Sequence, residues 1–222
     1  MTDVEKVKFP APRCRNPLVF PDGSRDPATV FLTEVIDHPN IEVGDWSYYN
    51  NRTLPQDYAA ELAPYLFPGA PEYLRIGRFC QIAEGVQFIT ATANHPMSGL
   101  STYPFAVFDP DRLGGYRNSL PRGEDTVVGH DCWLGRDAML MPGAELGNGV
   151  IVASRAVVTG KVPDYAIVAG NPAKVVRMRF DAKDVATLLE IAWWNWSAKK
   201  IAENLSLIEA GDVAALHRQS KV

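Results

Sequence analysis

The chain has 222 residues, enough for one hydrophobic core with an appendage. Hydrophobic residues make up 46% and charged residues 22%, and the formal net charge of -4 gives no global attraction to nucleic acid or to an anionic membrane. No apolar run reaches the roughly 18 residues of a membrane span, and the opening MTDVEKVKFPAPRCRNP lacks a basic region followed by an apolar stretch, so no signal peptide is expected. Cys14, Cys80 and Cys132 are odd in number, far apart and form no CxxC, which argues against a disulfide framework or zinc ribbon and points to the reducing cytoplasm.

In chain order, the first patterned unit is VGDWSY from Val43. An insertion of about 49–75 follows, in which residues 56–66 predict a short helix ended by Pro and Gly. From Ile76 the same pattern returns as IGRFCQ, IAEGVQ and FITATA. Residues 94–127, rich in Gly, Pro and aromatics, carry no repeat, and an excursion of that length is usually functional. From Val128 six units follow without a break: VGHDCW, LGRDAM, LMPGAE, LGNGVI, VASRAV and VTGKVP.

The nine in-phase hexads from Ile76 onward have an aliphatic or aromatic residue first, a mostly small residue fifth, and often Gly second. A plain strand repeats every two residues. A period of six with one large and one small inward residue instead describes a short flat side and a tight corner. Three such sides make a coil of 18 residues, and stacked coils bury a column of aliphatics. Residues 76–93 predict one coil and 128–163 two. Beyond Lys161, PDYAIVAGNPAKVVRMRF reads as extended chain. A helix is expected after Asp181, with Val185, Leu188, Leu189, Ala192 and Trp193 on one face, and a second from near Ser197. The WWNW cluster at 193–196 reads as packing on the last coil.

Of the four histidines, His217 sits in a polar tail, His130 at an outward hexad position and His38 in an N-terminal loop. His95 stands where the coil gives way to the excursion, where a rigid scaffold presents a loop. An imidazole there suits general-base work at neutral pH. Cys80 and Cys132 hold small inward positions and read as core fillers. There is no nucleophile elbow, phosphate loop or dinucleotide fingerprint, and no His pair at the spacing of a metal site on a coil.

Several segments carry a resemblance: IDHPNIEVGDWSYY at 36–49, IGRFCQIAEGVQFIT at 76–90, ANHPMSGLSTYPF at 93–105, the repeat from Asp125 to Val158, GNPAKVVRMRF, and WWNW. The sequence is similar to the xenobiotic acetyltransferases, hexapeptide-repeat enzymes that acetylate chloramphenicol or streptogramin A antibiotics. That resemblance implies an all-β-dominated left-handed parallel β-helix over residues 1–180, with inserted loops at about 49–75 and 94–127. A C-terminal α-helical extension over 181–222 would pack on the last coil. It implies acetyl-CoA as co-substrate, no metal, a homotrimer and a small-molecule hydroxyl as acceptor.

His95 matches the family's catalytic histidine. Arg136, Ser154, Thr159 and Gly160 match positions along the pantetheine arm, and Lys174 and Arg177 match the basic residues at the CoA phosphates. Tyr48, Tyr49, Tyr103 and Trp133 fall where the acceptor is met. An O-acyltransferase of metabolism, acting on a sugar or sugar-lipid hydroxyl, would keep His95 and the CoA groove. A β-helix serving only as an assembly scaffold would bind no acetyl-CoA.

Overall fold

The computed structural model describes residues 10–119 and 123–221. The predicted start of the first domain before residue 10, and residues 120–122 of the expected excursion, lie outside the described residues. The chain winds through three parallel sheets in turn. The first face holds Ile41–Val43, Leu74–Ile76, Thr126–Val128, Glu145–Leu146 and Lys161–Val162. The second holds Tyr48–Asn50, Gln81–Ala83, Trp133–Leu134, Ile151–Val152 and Ala166–Gly170. Antiparallel strands close it at both ends, Thr29–Phe31 at one and Ala173–Met178 at the other. The third and narrowest face holds Gln87–Phe88, Met139–Leu140 and Val157–Val158.

Register shows why six is the period. Val128 pairs with Leu146, Leu134 with Val152 and Leu140 with Val158, each 18 residues on. First-position residues point inward: Leu134 and Leu140 are 0% exposed, Val128, Val152 and Val158 1%. The fifth-position residues Cys132, Ala138, Ala144, Val150 and Ala156 are equally buried. Their small volume lets the chain turn close to the axis. Cys80 and Cys132 are core fillers with a polar task, since their thiols donate to the carbonyls of Gly129 and Gly147 one coil on.

The fourth position has a rule that composition hides. Trp46, Phe79, Asp131, Asp137 and Arg155 all have φ between 55° and 62°, and Gly85, Gly143 and Gly149 match them. The left-handed conformation turns each corner, and non-glycine residues hold it because neighbouring coils lock the backbone. The second-position glycines solve a different problem. A β-carbon on Gly77 would lie 2.5 Å from the Gly129 carbonyl, and one on Gly129 would lie 2.6 Å from Gly147. Only hydrogen fits at these two corners.

One hexad is corrected by the register. VTGKVP was expected to place Val162 at the small fifth position, but Val162 pairs with Leu146, only 16 residues on. The Thr159-Gly160 turn is two residues short, with Gly160 at φ 66°. The pattern restarts at Val162, putting Tyr165 at the left-handed fourth position and Ala166 at the buried fifth.

The first insertion forms a helix, α1 (Tyr58–Leu62), shorter than the expected 56–66 because Asp57 caps it, accepting from the N–H groups of Ala59 and Ala60. The excursion leaves the corner between third and first faces after Phe88 and rejoins the first face at Thr126. It contains a 3-10 turn at Phe105–Phe108 and a helix, α2 (Pro110–Ser119). The sequence PDRLGGYRNS, with two central glycines and no apolar face, gives no helical period to read.

After the strand Ala173–Met178 come α3 (Ala182–Ile191), α4 (Ala198–Ala210) and α5 (Val213–Ser220). Asp181 caps α3 by accepting from Asp184 N–H, and Ser197 caps α4 by accepting from Lys200 N–H. Leu188 and Trp194 are buried against Tyr165, with Val185, Leu189, Ala192 and Trp193 partly buried beside them. The tryptophans also reach back along the corner between first and second faces. Trp193 meets Phe79 with ring centres 5.0 Å apart, and Trp194 stacks on His130 at 5.5 Å. His217, placed by sequence in a solvated tail, lies on α5 with Nε2 3.2 Å from the Glu190 carboxylate.

Candidate active site

Three separate parts of the coil present the residues singled out by sequence. The first is the excursion. His95 is exposed and follows the 3-10 turn Ala91–Ala93. Its Nδ1 lies 3.0 Å from the Thr102 carbonyl oxygen. A carbonyl only accepts, so in the neutral ring Nδ1 carries the proton and Nε2 carries the lone pair. Tyr103 follows at once, 55% exposed, and packs on Phe105 and Phe108 with centroids 4.7 and 5.6 Å apart. Sequence reasoning missed the Thr102 carbonyl, which any residue supplies and no motif marks.

The second part is the outer surface of the second face. Tyr48 pairs with Gln81, Gln81 with Trp133, Trp133 with Ile151, Ile151 with Ile167, and Ile167 with Arg177. These residues stand in one outward column across successive strands. Tyr48, Gln81 and Trp133 line a groove of about 570 Å³ together with Pro17, Leu18 and Phe31 of the N-terminal segment. Tyr49 does not belong with them. It alternates to the inner side, is 0% exposed, and bonds Asn51 through its hydroxyl. Burial and the nearby Glu61 carboxylate push that hydroxyl up to about 12. The strand's period of two decides the matter: adjacent tyrosines cannot both face the groove.

The third part brackets the narrow third face. Arg136 and Ser154 stand one above the other at its corner with the second face, both exposed. Arg136 lies 3.4 Å from Glu84 and 3.9 Å from Asp137. Thr159 and Gly160 form the other corner, the same one from which the excursion leaves two coils earlier. Space around Gly160 is open. The strand Ala173–Met178 contacts Val157–Val158 while closing the second face; on it, exposed Lys174 pairs with Ala169, and exposed Arg177 pairs with Ile167 in the outward column of the second face.

His130 has a structural task. The third-position side chains form a ladder up the corner between first and second faces: Arg78 N–H donates to His130 Nδ1 at 2.9 Å, His130 N–H to Asn148 Oδ1 at 2.9 Å, and Asn148 N–H to Asp164 at 2.6 Å. Burial, with the Arg78 guanidinium adding to it, holds the His130 ring below its ordinary value, so it stays neutral and keeps an acceptor lone pair.

The coil of hexads has counterparts among known proteins. The family described as bacterial transferase hexapeptide (six repeats) matches residues 125–160. A chloramphenicol acetyltransferase of Agrobacterium fabrum is 40% identical, covering 85% of this chain and 91% of that one. A virginiamycin A acetyltransferase of Staphylococcus aureus is also 40% identical, covering 86% of this chain and 87% of that one. The chain belongs to the hexapeptide-repeat acetyltransferases to which these two relatives belong, and is an acetyl-CoA-dependent acyltransferase.

Proposed function

We propose that this enzyme transfers acetyl from acetyl-CoA to a hydroxyl of an antibiotic, chloramphenicol or a streptogramin A such as virginiamycin A, with His95 as general base on a left-handed β-helix. The observation that carries the reading is the His95 ring, exposed at the foot of the excursion with Nδ1 committed to the Thr102 carbonyl. Nε2 is then the base. It takes the acceptor's hydroxyl proton as that oxygen forms a bond to the thioester carbon. The tetrahedral intermediate collapses by breaking the C–S bond, and the imidazolium returns the proton to the departing thiolate.

Lys174 and Arg177 meet the CoA phosphates, with Arg136, Ser154, Thr159 and Gly160 along the pantetheine arm. Their support is placement: Arg136, Ser154, Thr159 and Gly160 lie along the edges of one narrow face, and Lys174 and Arg177 stand on the strand that contacts its last member. Tyr48, Trp133 and Tyr103 meet the acceptor. Aromatic faces on the second sheet and on the excursion offer the apolar contact that such molecules need.

The active assembly is a homotrimer. In a triangular cross-section the corner that launches His95 is opposite the face that bears Tyr48 and Trp133. A site joining them takes the excursion of one copy and the second face of another. The excursion's exposure fits this, with Leu100, Phe105 and Phe108 all more than 60% exposed. All three cysteines are free, which suits the cytoplasm. No helix among the described residues is long and apolar enough to cross a membrane.

Acetyl transfer to chloramphenicol and to a streptogramin A, followed side by side as release of the CoA thiol, tests the acceptor. Turnover of at least one is expected. Turnover only of sugar hydroxyls would move the enzyme to metabolism. A stable monomer in sedimentation at micromolar concentration would break the shared site.

A further inference from the structure

This inference deepens the reading of His95 as base and rests on it. The excursion has two feet, and both stand on the segment 72–75, at the end of the first insertion. Glu72 is 2% exposed. Its Oε1 accepts from Thr92 N–H at 3.2 Å, and the Thr92 hydroxyl is 3.3 Å away. Thr92 stands three residues before His95. At the returning foot, a β-carbon on Gly123 would collide with the Glu72 carboxylate and with Ala91, so the backbone there lies directly on the acid. Two residues further, Asp125 accepts from Tyr73 N–H at 2.8 Å and from Arg75 Nε at 3.1 Å.

The clamp has its own support. Asn40, 3% exposed, donates to the Glu72 carbonyl at 3.1 Å and the Ala70 carbonyl at 2.8 Å, and accepts from Gly69 N–H at 2.9 Å. Glu72 is therefore held at both its backbone and its carboxylate. Its Oε2 has no hydrogen-bond partner among the described residues. A buried carboxylate is costly to hold, and an apolar residue would serve better if packing were the only task. Here the acid sits where the excursion's departure and return come together.

We propose that Glu72 is a positioning residue for His95: its buried carboxylate, seated between Thr92 and Gly123, joins the two feet of the excursion and so fixes where the base stands. It touches neither the acceptor nor CoA in this role. Placement matters because an error of about 1 Å in a reacting group is worth on the order of 100-fold in rate.

The test is a cycle of kcat measurements on the full enzyme: wild type, Glu72→Ala, His95→Ala and the double variant, with circular dichroism to verify folding. Glu72→Ala is expected to lower kcat about 10–100-fold while KM for acetyl-CoA stays within about twofold. Adding Glu72→Ala to His95→Ala should cost nothing more, because a positioning residue has no function once the base is gone. Glu72→Gln keeps an oxygen for the Thr92 N–H and should fall between wild type and Ala.

Full kcat in Glu72→Ala beside a crippled His95→Ala overturns the clamp alone. An equal loss in both backgrounds overturns it too, since that is the signature of general packing. Wild-type kcat in His95→Ala would instead strike the base reading itself. If Glu72→Ala does not fold, Gly123→Ala presses on the carboxylate from the other foot and must show the same non-additivity.

Discussion

The coil from Thr126 to Val162 and the excursion from Asn94 to Asp125 are of similar length and obey opposite rules. From Val128 to Val158 every sixth residue meets the same surroundings, so Leu134, Leu140 and Leu146 are buried alike and the corners at Asp131, Asp137, Gly143, Gly149 and Arg155 turn alike. Among the described residues of the excursion there is no such repeat, and large apolar side chains such as Met97, Leu100, Phe105 and Phe108 are exposed. The coil spends its residues on stability. The excursion presents His95 at one end and an aromatic patch in its middle. The proposed base can stand on so irregular a loop because the coil beneath repeats one packing arrangement.

That contrast can be broken by substitution. The largest effect belongs to the excursion: His95→Ala should lower kcat about 10²–10⁴-fold, the usual worth of a general base, with the melting temperature nearly unchanged. Loss of folding instead would mean that the excursion is part of the core. The coil should answer the other way. Leu140→Ala leaves a cavity in the stacked column and should destabilise by about 2–5 kcal/mol in denaturant unfolding. Below the transition its turnover should be near normal; a selective loss of kcat would show that coil and site are not separable.

Smaller effects sharpen the picture. Lys174→Ala and Arg177→Ala should each weaken acetyl-CoA by about 1 kcal/mol, read as a higher KM with kcat little changed. Unchanged KM for both would remove this strand from the cofactor site. The smallest effect is a pH dependence within the scaffold. His130 is depressed in the folded chain from its ordinary 6.5, so the neutral ring is the stabilising form. The sign follows: this stability is complete above about 6.5 and is lost as pH falls through the lower folded value. The melting temperature should drop more between pH 7.5 and 5.5 in the wild type than in His130→Asn, which keeps an acceptor as Asn148 does one coil on. Equal drops would show that His130 does not titrate with unfolding.

By itself the sequence determined the coil. A hexad must place a large residue inward and a small one at the corner, so Val128 through Val158 announce their positions by size alone, and Asp181 and Ser197 announce helix starts by chemistry. The resemblance added His95, which spacing left as one loop histidine among four. Tertiary structure decided what depends on a neighbour distant in sequence. The two-residue slip at Thr159-Gly160 shows only in the pairing of Val162 with Leu146. Tyr48 and Tyr49 look alike until the strand turns one to the groove and the other to the core. His130 became a ladder acceptor only when Arg78, 52 residues earlier, was stacked beneath it. Glu72 sits beside Thr92 and Gly123 only because an insertion and an excursion close on the same corner. Periodic burial is a local property that a sequence can spell. Contacts between irregular segments depend on where the whole chain has gone, and no local pattern encodes them.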